Sequence, residues 1–287
     1  MEVSMSNLAV QAGAYLHHVA FESADPKQLA HFYAANMDMQ VTEVSPEEFR
    51  CEGPLRRFVA VKGVNKKLAY AGLACRSADV LDAMRARTAA SGVAILPNVS
   101  SYFGDDAFAV RDNDGHLICF GMSREQTIAY RPGVEGIHAP TQHLTFATQD
   151  IDAFKEFYVD KLGFFLSDRV VHENGALATV FTTTNHEHHT IACFKSDRTG
   201  VDHHSYEAGT FENIKKFCDR FAANGVLLTW GPGRHGPGNN LFVFYTDPDG
   251  NWIEISGELE TIYDRDVIDW PQHPRTLNKW GNAILRS

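Results

Sequence analysis

No apolar run in these 287 residues approaches the roughly 20 that a membrane-spanning helix needs. The first fifteen residues, MEVSMSNLAVQAGAY, lack a basic start followed by a sustained apolar stretch, so a secretory leader is not expected. Cysteine is sparse. The five, at 51, 75, 119, 193 and 218, form no CxxC pair, and the odd number leaves at least one unpaired. Reduced thiols in a cytoplasmic protein are the expectation. Positive charge is also short, with 26 Lys and Arg against 36 Asp and Glu and a net charge of −10. An acidic surface gains nothing from nucleic acid or an anionic membrane, which leaves a small molecule as the expected partner.

What is present describes an ordinary globular chain. A 44% hydrophobic and 22% charged composition over this length suits about two domains, each with its own core. Histidine is the informative residue. Six of the fourteen fall between 186 and 235, at 186, 188, 189, 203, 204 and 235, which is where a metal or acid–base site is to be sought.

The chain also repeats itself. Residues 16–33 (LHHVAFESADPKQLAHFY) parallel 142–158 (QHLTFATQDIDAFKEFY), each reading as a strand, a polar turn and an amphipathic helix that ends in an aromatic pair. Residues 68–93 parallel 201–226, each a strand and helix closing on Gly-Val, and DNDGHLICF (112–120) parallels DPDGNWIEI (247–255) as a tight turn entering a strand. This predicts an α+β chain of four βαβββ modules in two domains, 1–135 and 136–287, divided near RPGVEGIHAP (131–140).

The pattern resembles the vicinal oxygen chelate (glyoxalase/bleomycin-resistance) superfamily over about residues 15–257, and two module pairs in one chain resemble its type I extradiol dioxygenases. The resemblance implies two half-open mixed β-barrels with outer helices, one of which encloses a metal.

Strand alternation gives each candidate ligand a direction. Leu144 and Phe146 take the core side, so His143 shares the other face with Thr145 and Ala147. Ile253 and Ile255 take the apolar side and leave Glu254 facing the cup. His203 shares a face with Ser205 and Glu207, while His204 points opposite with Tyr206. Two histidines and a carboxylate on three strands suit non-haem Fe(II), with adjacent positions open for a diol and dioxygen. The resemblance places the ligands at His143, His203 and Glu254, preferring His203 to His204 by its spacing to Glu207 and Thr210. His204 stays open as the alternative, since a one-residue slip turns the face over. In the N-terminal half the matching positions are His18, Tyr70 and Cys119, a set that does not make this site, and His18 reads as a packing residue.

The resemblance further implies catalytic roles for His189, which precedes an apolar strand, and for His235, within GPGRHG. His186 and His188 read as surface histidines of the same polar loop. The family tyrosine ten residues before the glutamate is here Phe244, and strand parity sends Tyr245 to the opposite face. Phe244 and Asn240 are the candidate substrate contacts. Arg234 and Asn239 read equally well as surface or turn residues, and the tail 258–287 is expected to pack over the barrel or a neighbouring subunit. The implied activity is Fe(II)-dependent opening of a small aromatic diol by O2, in a homo-oligomer. A metal-dependent lyase, isomerase or hydrolase, or a non-catalytic binder of aromatic compounds, are the alternatives within the same fold.

Overall fold

The computed structural model describes residues 13–124 and 137–284, and the boundary expected at 135/136 lies outside them. Four successive βαβββ units follow. The first is β1 (Tyr15–Ser23), α1 (Pro26–Met37), β2 (Gln40–Ser45), β3 (Glu48–Gly53) and β4 (Arg56–Lys62). The second is β5 (Leu68–Ala74), α2 (Ala78–Ala90), β6 (Leu96–Pro97), β7 (Phe108–Arg111) and β8 (Leu117–Gly121). The third is β9 (Thr141–Thr148), α3 (Ile151–Lys155), β10 (Phe165–Val171), β11 (Leu177–Thr183) and β12 (Ile191–Lys195). The fourth is β13 (Gly200–Glu207), α4 (Phe211–Ala223), β14 (Leu228–Arg234), β15 (Leu241–Thr246) and β16 (Trp252–Gly257), and the tail adds β17 (Ile268–Pro271). No helix among the described residues is long and apolar enough to cross a membrane.

Each helix starts where a short polar side chain takes up an orphan backbone donor. Asp25, Ser77, Asp150 and Thr210 accept from the backbone N–H of Gln28, Val80, Ala153 and Asn213. One helix differs from expectation. The segment expected as a single amphipathic helix after β9 is α3 followed by a π-helical stretch, Glu156–Lys161, whose wider turn buries both Phe157 and Tyr158.

The modules pair into two mixed sheets, β2-β3-β4-β1-β5-β8-β7-β6 and β14-β15-β16-β13-β9-β12-β11-β10-β17. Antiparallel pairing of β1 with β5 and of β9 with β13 joins the modules within each sheet. Each domain thus has the expected half-open form, with the helices outside.

The repeated motifs also lock one domain to the other. In each Asp/Gly turn the first aspartate accepts two backbone N–H groups, Asp112 from Asp114 and His116, Asp247 from Asp249 and Asn251. Each remaining oxygen then takes the phenol that ends the helix of the opposite domain. Tyr158 donates to Asp112 Oδ2 at 3.0 Å, and Tyr33 donates to Asp247 Oδ2 at 3.3 Å. Between them Arg56, fully buried, donates to the carbonyls of Met37 and Ile137.

β13 ends at Glu207, whose carboxyl is pushed up to about 7 by burial, the hydrogen bonds from Ser256 and Gly209 offsetting only part of that cost. Between its ordinary 4.5 and about 7 the unfolded chain has released this proton while the folded chain holds it, so stability falls as pH rises across that window. Glu207→Gln cannot ionise and still offers an acceptor to Gly209. It is expected to raise stability at pH 8 by roughly 2 kcal/mol and to change little at pH 4. Denaturant titrations at both pH values measure this, and an equal effect at both would refute it.

Candidate metal centre

β16, β13 and β9 lie side by side, and their register sets the site. Ser205 on β13 stands opposite Glu254 on one neighbour and His143 on the other, with His203 two residues along on the same face. All three side chains are buried, and their ligand atoms lie within 4.8 Å of one another. His204 turns to the other face, where it packs against Phe21 and lies 3.1 Å from the Tyr33 hydroxyl.

Two of the strands depart from simple alternation at the site. The β9–β13 register skips Gln142 and Asp202, so each is a bulge residue immediately before a candidate ligand. A bulge re-aims the side chain that pairing would have sent to the far face. His203 Nδ1 donates to Asp202 Oδ1 at 2.7 Å, and His143 Nδ1 donates to Gln142 Oε1. Gln142 in turn donates to the His189 carbonyl at 2.7 Å. With Nδ1 committed on both rings, Nε2 is the nitrogen that each presents to the centre.

Those presented atoms are spaced as ligands of one ion. His143 Nε2 lies 3.2 Å from His203 Nε2 and 3.0 Å from Glu254 Oε2, and His203 Nε2 lies 3.4 Å from the same oxygen. Donors at about 2.1 Å from one ion and at right angles lie about 3 Å apart, so the trio fits one face of an octahedron. Burial pushes the Glu254 carboxyl up, yet His143, His203 and His235 together hold it well below the usual carboxylate range. Burial likewise pushes His203 down, and Asp202 and Glu254 reverse that to about 9. The set is two imidazoles and one carboxylate, a hard and borderline donor set that suits Fe(II) or Mn(II).

A model of the Glyoxalase/Bleomycin resistance protein/Dioxygenase superfamily matches residues 15–120 and 141–255, which reaches from β1 into β16 and takes in all three of these side chains. The chain belongs to that superfamily. Among curated members, Metapyrocatechase 2 of Cupriavidus necator is 25% identical over 70% of this chain and 67% of its own. Biphenyl-2,3-diol 1,2-dioxygenase of Pseudomonas sp. strain KKS102 is 27% identical over 94% of this chain and 97% of its own. The crystal structure of homoprotocatechuate 2,3-dioxygenase from Arthrobacter globiformis superposes with a TM-score of 0.81 at 21% identity, covering 94% of this chain and 88% of that one, and so shares the fold.

Within this superfamily member the N-terminal half keeps the frame and fills the centre. β1 pairs with β5 so that His18 stands opposite Gly72, and β5 with β8 so that Gly72 stands opposite Cys119. Tyr70 and Cys119 therefore occupy the places of His203 and Glu254. Even the bulge is repeated, with His17 skipped before His18 and its Nδ1 2.8 Å from His18 Nδ1. The other nitrogen of His18 meets the Ser100 hydroxyl at 2.8 Å, where the C-terminal half offers its ligand face. A side chain at position 72 would run into the His18 ring, so glycine there is a packing requirement.

Around the centre of the C-terminal half, His189, His235 and Phe244 all line one cavity with the candidate ligands. The His189 ring centroid lies 4.2 Å from that of His143. His235 Nδ1 donates to the Leu277 carbonyl at 2.5 Å, which leaves Nε2 3.5 Å from Glu254 Oε1. Phe244 meets the His203 ring edge-on at 5.2 Å and packs with Trp230 and Trp252, whereas Tyr245 packs on Phe221 behind the sheet. Asn240 is not among the cavity-lining residues. Its amide donates to Glu254 Oε1 at 3.1 Å and to Ser256 at 3.0 Å, so it braces the carboxylate from behind.

The expectation for the loop changes, and the tail takes the first of its two expected places. His188 is no surface residue: it is fully buried, with Nε2 2.9 Å from Asp168 Oδ2, and His186 is half-buried with Nδ1 donating to the Ile262 carbonyl. The tail packs over its own barrel. β17 extends the sheet beside β10, Thr276 and Lys279 bond the backbone of Gly236 and Arg234, and Leu277 and Ile284 join the cavity wall. Arg234 itself pairs with Glu258 at 2.7 Å rather than facing the cavity.

Proposed function

We propose that the chain is an Fe(II)-dependent extradiol dioxygenase, which inserts both atoms of O2 into a catechol-type aromatic and opens the ring next to its two hydroxyls. The observation that carries this reading is the facial His143–His203–Glu254 group at the floor of an aromatic-walled cavity, with a non-ligand histidine, His189, beside it. Iron held there by His143, His203 and Glu254 would supply Lewis acidity toward the diol oxygens and a redox-active centre for oxygen chemistry. Asn240, Asp202 and Gln142 hold the three ligands in place, a role their hydrogen bonds support. Phe181, Phe244, Trp230 and Trp252 favour a flat apolar ring and exclude water from it.

His189 is the acid–base group for the diol hydroxyl. Burial, above all, and the neighbouring His143 and His188 push its proton affinity well below that of a free imidazole, so at neutral pH it is the unprotonated form. His235 adds a second polar group to the cavity wall, its tautomer set by the Leu277 carbonyl. A homo-oligomer is the expected assembly.

The test is made on anaerobically purified protein. Ferrous or manganous ion is added back, and oxygen uptake is followed with catechol and its 3-substituted, 4-substituted and biaryl forms. Turnover with either metal that places both oxygens of labelled O2 in a ring-opened product supports the dioxygenase, and the better metal identifies the cofactor. Turnover without oxygen consumption would make the chain a lyase, isomerase or hydrolase of the same fold. A companion variant, Phe244→Tyr, adds a phenol to the cavity wall. It is expected to lower KM for an unsubstituted catechol by about 3- to 10-fold through one new hydrogen bond. An unchanged substrate profile would show that this position does not meet the substrate.

A further inference from the structure

Behind His189 runs a chain of buried polar groups that the proposed reaction does not yet use. His188 and His189 set their rings at right angles, with Nδ1 facing Nδ1 at 2.9 Å. His188 Nε2 lies 2.9 Å from Asp168 Oδ2, and both side chains are almost wholly withdrawn from solvent. Asp168 is itself saturated. Arg265 Nη1 at 2.9 Å and the Ile268 N–H at 3.2 Å bond Oδ1, and Trp270 Nε1 at 2.8 Å bonds Oδ2 alongside His188. Arg265 is fixed in turn by a two-pronged pair with Glu260, whose backbone carbonyl accepts the backbone N–H of His188. Arg265, Ile268, Trp270 and Glu260 all belong to the C-terminal tail.

With one proton on each ring, the bookkeeping along this chain has one outcome. A carboxylate with four donors can only accept, so His188 carries its proton on Nε2. The other nitrogen of that ring, Nδ1, then carries the lone pair. His189 must donate from its own Nδ1 and keeps an unprotonated Nε2 for the cavity.

We infer that His188 is a positioning residue that fixes the tautomer of His189, with Asp168 as its anchor and the C-terminal tail as the clamp on Asp168. When a diol hydroxyl gives its proton to His189 Nε2, the O–H bond breaks and an N–H bond forms there, while the Nδ1 proton stays in its bond to His188. The positive charge so formed faces Asp168 through one intervening ring. Without the relay both tautomers of His189 are populated, and the one with Nε2 protonated cannot accept. This rests on the proposed role of His189, but the arrangement of protons does not.

Asp168→Asn tests it sharply. Arg265 and Ile268 hold the amide oxygen at the Oδ1 place, so the amide N–H₂ faces His188 Nε2 and the relay inverts. His188 then donates from Nδ1, and His189 is left protonated on Nε2. Trp270→Phe in the same chain removes the donor that would oppose the amide. In full-length, metal-free protein labelled with ¹⁵N-histidine, two-bond proton–nitrogen correlations report the tautomer directly. The wild-type His189 is expected to be Nδ1–H, the Asp168→Asn/Trp270→Phe chain Nε2–H, and Trp270→Phe alone unchanged. With metal restored, kcat should fall roughly 100-fold in the double variant while KM and metal content stay within a few-fold. Should that variant fail to fold, His188→Phe keeps a ring in the space and deletes the relay. It should show both tautomers and a kcat lower by about 10-fold. A His189 that stays wholly Nδ1–H in these variants, or a kcat that ignores an inverted tautomer, would overturn the inference. The tautomer readout needs neither metal nor substrate, so absence of dioxygenase turnover in the wild type would count against the proposed function and leave the relay to be judged on its own.

Discussion

Glu254→Ala is expected to yield a folded chain that binds no iron and has lost activity by at least about 10³-fold. Glu254 is the only anion among the three candidate ligands, and two neutral imidazoles alone hold a hard divalent ion poorly. The carboxylate is ready for the ion before it arrives, since His143, His203 and His235 overcome burial to keep it ionised, and Asn240 fixes its second oxygen. Glu254→Gln separates charge from shape, because the amide keeps the volume and one acceptor but carries no charge. It should also fail to hold iron. Asn240→Ala leaves all three ligands and removes only the brace, so metal affinity should fall by roughly 10- to 100-fold with the stoichiometry recovered at high iron. Metal content by elemental analysis, oxygen uptake and far-ultraviolet circular dichroism read these outcomes together. Full iron and full activity in Glu254→Ala would remove the assignment.

Side-chain direction at this site is legible in the sequence where strands behave as strands. Alternation alone set the directions of His143, Glu254 and Tyr245, since β9, β15 and β16 are paired on both sides and a slip would expose Leu144, Ile253 or Ile255. It could not see Gln142 and Asp202 as partners of the ligands that follow them. Alternation sends a preceding residue to the far face, and only the bulges bring these back. A visible trace exists, because a polar residue immediately precedes His18, His143, His189 and His203 alike, as His17, Gln142, His188 and Asp202. His188 was misplaced for a different reason. Its loop is polar in sequence, and its burial depends on Asp168 some 20 residues before it and on tail residues more than 70 after it. Pairings of that range leave no local pattern, and for the same reason the part of the tail in the cavity wall was not legible.

His189→Ala is expected to do what Glu254→Ala does not: retain iron in full and lose kcat by roughly 10²- to 10⁴-fold. The His189 ring stands against His143 without joining the ligand group, so its removal leaves all three donors and their orienting bonds in place. Gln142 bonds the His189 backbone carbonyl, not its ring, so truncating that side chain leaves the His143 bond intact. What disappears is a neutral imidazole held beside the diol at neutral pH by burial, with its accepting nitrogen turned to the cavity. Because the loss falls on proton transfer rather than binding, KM for the diol should move by only a few-fold. His189→Asn supplies a polar side chain that hydrogen-bonds but does not titrate, and it should recover KM without recovering kcat. Iron content, KM and kcat measured on the same preparations decide the matter. Parallel loss of iron and activity in both variants would place His189 in the metal's support, and the acid–base role would pass to His235, the remaining non-ligand histidine on the cavity wall.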